Sequence, residues 1–242
     1  MKTVLITGAT SGIGLQLAKD YAESGWYVYA CGRNRAVLDD LEVAHTNLKG
    51  IAFDLTDLKA ATAAMSSLEK IPDVWVLNAG DCEYIDEGHI DAPLFQRVFD
   101  INVIGLANTI HACQSQFQSG QIVAIVGSIA SEVALPRAEA YGASKAAVSY
   151  LARTLQLDLK AKGVLVSVIY PGFVKTPLTD KNTFEMPMLI STQRASREIR
   201  EGLEKRRQHI YFPKTFTTIL RLIGLLPYGW QNLITSKLLS RG

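Results

Sequence analysis

Cysteine is scarce in this 242-residue chain, one-sided charge is absent, and no apolar run approaches the ~20 residues of a bilayer-spanning helix. The three cysteines, Cys31, Cys82 and Cys113, form no Cys-x-x-Cys pair and leave an odd total, which argues against a disulfide framework or a zinc ribbon. Each thiol is read as a small core hydrophobe in a reducing compartment. A net charge of +2 gives no electrostatic footprint for nucleic acid. The one basic run, Lys205-Arg206-Arg207, suits a helix C-terminus. No signal-peptide pattern precedes the first apolar strand at Thr3, so cytoplasm is the expected address. Repeats, low-complexity tracts and linkers are also missing, and a single domain over 1–242 is expected.

What is present is alternation. Short β-branched runs at Val4–Ile6, Trp26–Ala30, Gly50–Phe53, Val74–Leu77, Gln121–Val126, Val164–Ile169 and His209–Phe212 read as strands. Helical patterns fall between them at Ile13–Glu23, Asn34–Ala44, Leu58–Leu68, Pro93–Phe117, Ala138–Ala161 and Thr192–Arg207. Near-continuous apolar strands joined by helical crossovers predict an α/β fold, a parallel sheet of about seven strands covered on both faces.

Directly after the first strand stands Thr7-Gly8-Ala9-Thr10-Ser11-Gly12-Ile13-Gly14. Glycines at 8, 12 and 14 allow a tight turn, close approach of backbone to a pyrophosphate and close helix–strand packing. The following helix N-terminus offers unpaired N–H groups to an anion. The run lacks the Gly-Lys-Ser/Thr ending of a P-loop, which counts against a nucleotide triphosphatase.

Farther along, Tyr141 and Lys145 are four residues apart in Tyr-Gly-Ala-Ser-Lys, with Ser128 upstream. On a helix this spacing puts phenol and ammonium on one face. A neighbouring cation is expected to lower the phenol pKa by ~1–3 units, suiting it to proton transfer in carbonyl/alcohol chemistry. Taken alone, the pair is also what a surface helix shows.

Together, Thr7–Gly14, Asn78-Ala79-Gly80, Ser128, Tyr141-x-x-x-Lys145 and Pro171-Gly172 resemble the compact, single-domain short-chain dehydrogenases/reductases, over about residues 1–178. The resemblance implies a doubly wound, Rossmann-like sheet, a nicotinamide cofactor and a Ser128–Tyr141–Lys145 catalytic set, which Asn102 completes by anchoring a water beside Lys145. It also implies that Gly8, Thr10, Ser11, Gly12, Ile13 and Gly14 hold the pyrophosphate, with Tyr141 and Lys145 on the nicotinamide ribose. Asp54 and Leu55 would meet the adenine, although Asp54 equally suits a helix N-terminal acid. Asn78, Ala79 and Gly80 would pass close to the cofactor, and Pro171, Gly172, Val174 and Thr176 would flank the nicotinamide.

At the end of the second strand, where an acid would receive a ribose, the chain reads Cys31-Gly32-Arg33-Asn34. A guanidinium clamps a 2′-phosphate that an acid would repel, so Arg33 predicts NADP(H), with NAD(H) the alternative, and Asn34 beside it is a further candidate cofactor contact. Arg33 stacked on adenine or facing solvent remains the other reading, and Ser11 stands where relatives often carry a second base.

The substrate expected is a small carbonyl or alcohol compound, with Ile129, Ala130, Val133, Leu135 and the Phe173–Ile190 loop (including Phe184, Met186, Pro187, Met188 and Leu189) making an apolar pocket under a lid. A homodimer or homotetramer is expected, with no nucleic acid. Residues 215–242 form an apolar extension in two helical pieces, expected to pack on the cleft or a subunit interface; peripheral membrane contact is the less favoured alternative. A catalytically silent NADP(H)-binding regulatory protein is the competing function.

Overall fold

Seven parallel strands form the sheet: β1 Thr3–Thr7, β2 Tyr27–Gly32, β3 Leu48–Ala52, β4 Val74–Leu77, β5 Ile122–Val126, β6 Leu165–Pro171 and β7 His209–Phe212. Their order is β3-β2-β1-β4-β5-β6-β7. The computed structural model describes residues 1–181 and 186–239, with 181 and 237–239 entering by backbone only. Alternate residues of one strand feed opposite faces. Val4 and Ile6 pack with Leu17, Leu38 and Ile199 on one side, while Leu5 packs with Met65 and Val148 on the other. Burial on both faces is why the strands read as continuous apolar runs.

The helices are α1 Gly12–Glu23, α2 Arg35–Ala44, α3 Leu58–Ser66, α4 Ala92–Phe99, α5 Gly105–Cys113, α6 Glu139–Lys160, α7 Thr192–Glu204, α8 Lys214–Gly224 and α9 Tyr228–Leu239. The single helix expected over Pro93–Phe117 is four consecutive helical elements. A π-helical turn, Asp100–Ile104, separates α4 from α5, and a 3-10 turn follows at Gln114–Gln116. Such π-turns carry an extra residue and recur at functional sites. The chain reverses direction across the sheet between β1 and β4, and this switch point opens the crevice where ligands bind in doubly wound sheets.

Candidate active site

The crevice, about 440 Å³, is lined by the glycine-rich loop, the C-terminal ends of β1, β2, β4, β5 and β6, and the stretch after β6. Gly8 and Gly12 take φ of 67° and 53°, a left-handed backbone that side chains resist. A Cβ at Gly14 would collide with the Gly8 carbonyl oxygen. The loop is tied down behind by Ala9 N–H donating to the Cys31 carbonyl (2.9 Å) and Asn78 Nδ2 donating to the Thr7 carbonyl (3.0 Å). Ser11 occupies the N-cap of α1, yet its hydroxyl makes no capping bond and lines the crevice. N-cap serines ordinarily satisfy the helix's own N–H groups. Here the N-terminal donors are left for an anion, so the loop fits a pyrophosphate.

Thr10, Ile13, Arg33, Asp54, Leu55, Asn78, Ala79, Gly80, Pro171, Gly172, Val174 and Thr176 also line the crevice. Asn34 does not. Its side chain caps α2 by accepting from Val37 N–H at 3.3 Å. Gly14 supports the loop from behind rather than lining it. A Cβ at position 32 would stand 2.7 Å from Thr10 Cγ2, a physical reason for glycine where an acid might be sought. The exposed Arg33 lies 3.8 Å from Asp54. Asp54 Oδ1 accepts from both the N–H (2.9 Å) and hydroxyl (2.7 Å) of Thr56, and these bonds, with Arg33, keep its carboxyl below the ordinary range.

A second cavity of about 210 Å³ adjoins the first. Ile129, Ala130, Leu135, Phe173 and Leu178 supply its apolar wall. Val133 instead packs against α8, and Met188 and Leu189 face solvent. Phe184 lies outside the described residues. Cys82, Tyr84 and Arg137 join the wall unforeseen, and Phe216 joins it from the 215–242 segment expected on the cleft or an interface. Phe216 comes from α8, and its ring lies 5.4 Å from that of Phe173. No spacing in the sequence links that helix to this pocket. Arg137 ion-pairs with Asp86 at 2.8 Å and sits in the left-handed region, φ 66°.

Ser128 and Tyr141 line both cavities, at their junction. Ser128 begins a short 3-10 turn, where its Oγ accepts from Ala130 N–H at 3.2 Å. Tyr141 and Lys145 share one face of α6, with Nζ 5.8 Å from the ring centroid. Nζ donates to the Val126 carbonyl at 3.1 Å. The expected depression of the phenol is not seen. Burial pushes the Tyr141 pKa up, the Cys82 thiol adds to the rise, and a hydrogen bond with Ser128 opposes it. Burial also pulls the Lys145 pKa down to about 8. Desolvation disfavours both charged forms.

Asn102, in the π-helical turn, is 1 % exposed. Its Nδ2 donates to the Asp81 carbonyl (2.8 Å) and Ser144 Oγ (2.9 Å), and its Oδ1 accepts from Asp81 N–H (2.7 Å). Ser144 Oγ in turn donates to the Tyr141 carbonyl at 2.7 Å. Both amide hydrogens are committed, so only the second lone pair of Oδ1 is left for a water. Cys31 and Cys113 are buried, and burial pushes both thiols up, that of Cys113 to about 12, as inert packing groups.

The family model described as short chain dehydrogenase matches residues 2–186. An uncharacterized oxidoreductase of Myxococcus xanthus is 33% identical over 93% of each chain. A short chain dehydrogenase/reductase from Burkholderia phymatum, solved in complex with NAD, superposes with a TM-score of 0.80 at 23% identity, over 91% of this chain and 92% of that one. A short-chain dehydrogenase from Sphingobium yanoikuyae, solved with NADPH, gives 0.78 at 22% identity, over 94% and 97%. The chain belongs to the short-chain dehydrogenase/reductase family, NAD(P)-dependent enzymes that interconvert CH–OH and C=O groups.

Proposed function

We propose that this enzyme reduces an apolar ketone or aldehyde, with NADP(H) preferred and Tyr141 as the proton donor. One observation carries the reading: Ser128 and Tyr141 stand where the crevice with the glycine-rich loop meets the apolar cavity. The crevice would hold the dinucleotide through the α1 N-terminus and the Gly8–Gly14 loop. A nicotinamide bound there would supply the hydride that the carbonyl carbon receives.

Every other task belongs to the chain. The phenol, kept neutral by its raised pKa, gives its proton to the carbonyl oxygen as that oxygen gains charge. The Ser128 hydroxyl bonds the same oxygen and orients it. Lys145, with its pKa at about 8, releases a proton near physiological pH and so can restore Tyr141 after turnover. Asn102 is a positioning residue that holds Asp81 beside the site and, through Ser144, the backbone at Tyr141. Arg33 supports the NADP(H) preference, since its single exposed ion pair with Asp54 is weak enough to yield to a 2′-phosphate.

Mixing the protein with NADPH or NADH and a panel of aldehydes and ketones, followed by nicotinamide absorbance, tests this. Consumption of NADPH ahead of NADH is expected. Equal use of both would overturn the Arg33 argument. Binding without consumption of either would favour the silent regulatory reading.

A further inference from the structure

The C-terminal segment carries charge of one sign. From Lys214 to Gly242 the sequence holds four Lys or Arg and no Asp or Glu. The run Lys205-Arg206-Arg207 lies at the other end of β7, with Arg206 donating to the Gly120 carbonyl. Helix α8 within this segment has two apolar faces. Leu220 and Ile223 are buried against Ile129 and Val133, and Phe216 reaches the substrate cavity. On the other side Ile219 and Leu222 are exposed. Six consecutive exposed residues then follow, Leu225-Leu226-Pro227-Tyr228-Gly229-Trp230, without a charge among them. Leu225 and Tyr228 are 82% and 83% exposed. Elsewhere among the described residues, exposed large apolar side chains are isolated in sequence apart from the pair Met188–Leu189, with Tyr150 and Leu157 two turns apart on one face of α6.

This tip has its own internal hydrogen bonds. Gln231, 7% exposed, donates to the carbonyls of Gly224 (3.1 Å) and Leu226 (2.7 Å), which end α8. Leu225 and Leu226 N–H donate to Leu222 and Ile223, and Trp230 and Gln231 N–H to Pro227. These bonds satisfy the two carbonyls without water, as a turn entering lipid requires. Lys214 and Arg221, two helical turns apart, place exposed cations beside the apolar face, and the Arg221 guanidinium lies over the Tyr211 ring at 4.3 Å.

We propose that the tip between α8 and α9 docks on the surface of an anionic phospholipid bilayer, with Leu225, Leu226, Tyr228 and Trp230 in the interfacial region. Among the described residues no helix is long and apolar enough to cross a membrane, so the contact is interfacial. Charge favours this occupant over a second copy of the chain, since self-association through this face of α8 would bring the exposed cations Lys214 and Arg221 toward their own copies. Packing over the cleft and contact with a membrane are then duties of opposite faces of one helix.

The test is sedimentation of the full chain with vesicles of phosphatidylcholine alone and of phosphatidylcholine with phosphatidylglycerol. Binding to the anionic vesicles at low salt is expected, at least about tenfold weaker on neutral vesicles and weakened by added salt. The double variant Leu225→Asp/Leu226→Asp should lose that binding by at least about tenfold while keeping turnover of a soluble carbonyl compound. If it folds poorly, Tyr228→Ser/Trp230→Ser tests the aromatic pair alone. Wild-type protein left in the supernatant with anionic vesicles overturns the proposal. So does undiminished binding by a folded variant, or a variant that merely converts an oligomer to a monomer.

Discussion

Asn102 and Asp81 exchange two hydrogen bonds, side chain against backbone: Oδ1 accepts from the Asp81 N–H at 2.7 Å and Nδ2 donates to the Asp81 carbonyl at 2.8 Å. The π-helical turn sets Asn102 at the end of β4, and Ser144 extends the tie to the Tyr141 carbonyl. A Cβ at Gly80 would stand 3.0 Å from Asn102 Oδ1 and 3.1 Å from Lys145 Nζ, so the strand end, the turn and α6 meet in very little space.

Asn102→Ala leaves both Asp81 backbone groups without these partners in a partly buried setting. A loss of about 2–4 kcal/mol is expected, or roughly 5–15 °C in melting temperature. Calorimetry measures it. A melting temperature unchanged within error would show that the clamp holds nothing.

Lys145 links stability to pH. Its pKa is about 8 in the fold against 10.5 for the ordinary side chain. Between those values the unfolded chain holds more protons, so this group's contribution to stability rises with pH from 8 to 10.5. Below pH 8 the buried ammonium costs its full desolvation. Lys145→Met should therefore stabilise the protein at pH 7 by about 1–3 kcal/mol and much less at pH 10, with turnover lost. Melting curves at the two pH values check the sign.

Arg33→Ala should raise the Michaelis constant for NADPH by about 10–100-fold, the value of a charge-assisted contact, and leave that for NADH nearly unchanged. Arg33 is largely exposed, so melting should shift little. Steady-state kinetics with both coenzymes decide it.

Phe216→Ala removes a ring from the wall of the substrate cavity. The specificity ratio kcat/KM for a bulky aryl ketone over a small aldehyde should rise by about tenfold. A panel ordered by substrate size shows whether the ring sets that limit.

The parallel sheet and its order of elements were legible because strands buried on both faces leave uninterrupted apolar runs. Gly8 and Gly12 were legible because turn geometry restricts residue type. Three features were hidden. The π-helical turn at Asp100–Ile104 has no periodicity of its own, and so the segment read as one helix. The capping role of Asn34 was hidden because helix capping and cofactor binding ask for the same side chain. Phe216 is placed by docking of α8 on Ile129 and Val133, a tertiary contact far from the pocket in sequence. The Tyr141–Lys145 spacing did give the shared face, but the direction of the phenol's pKa depends on burial, which spacing does not carry.

Tyr141→Phe in single turnover with NADPH and a reactive aldehyde tests the central claim most directly. The hydroxyl alone is removed, so NADPH affinity, read by its fluorescence, should stay within a fewfold of wild type. Hydride transfer should fall by about 10²–10⁴. Transfer within a fewfold of wild type would contradict the assignment of the proton to Tyr141.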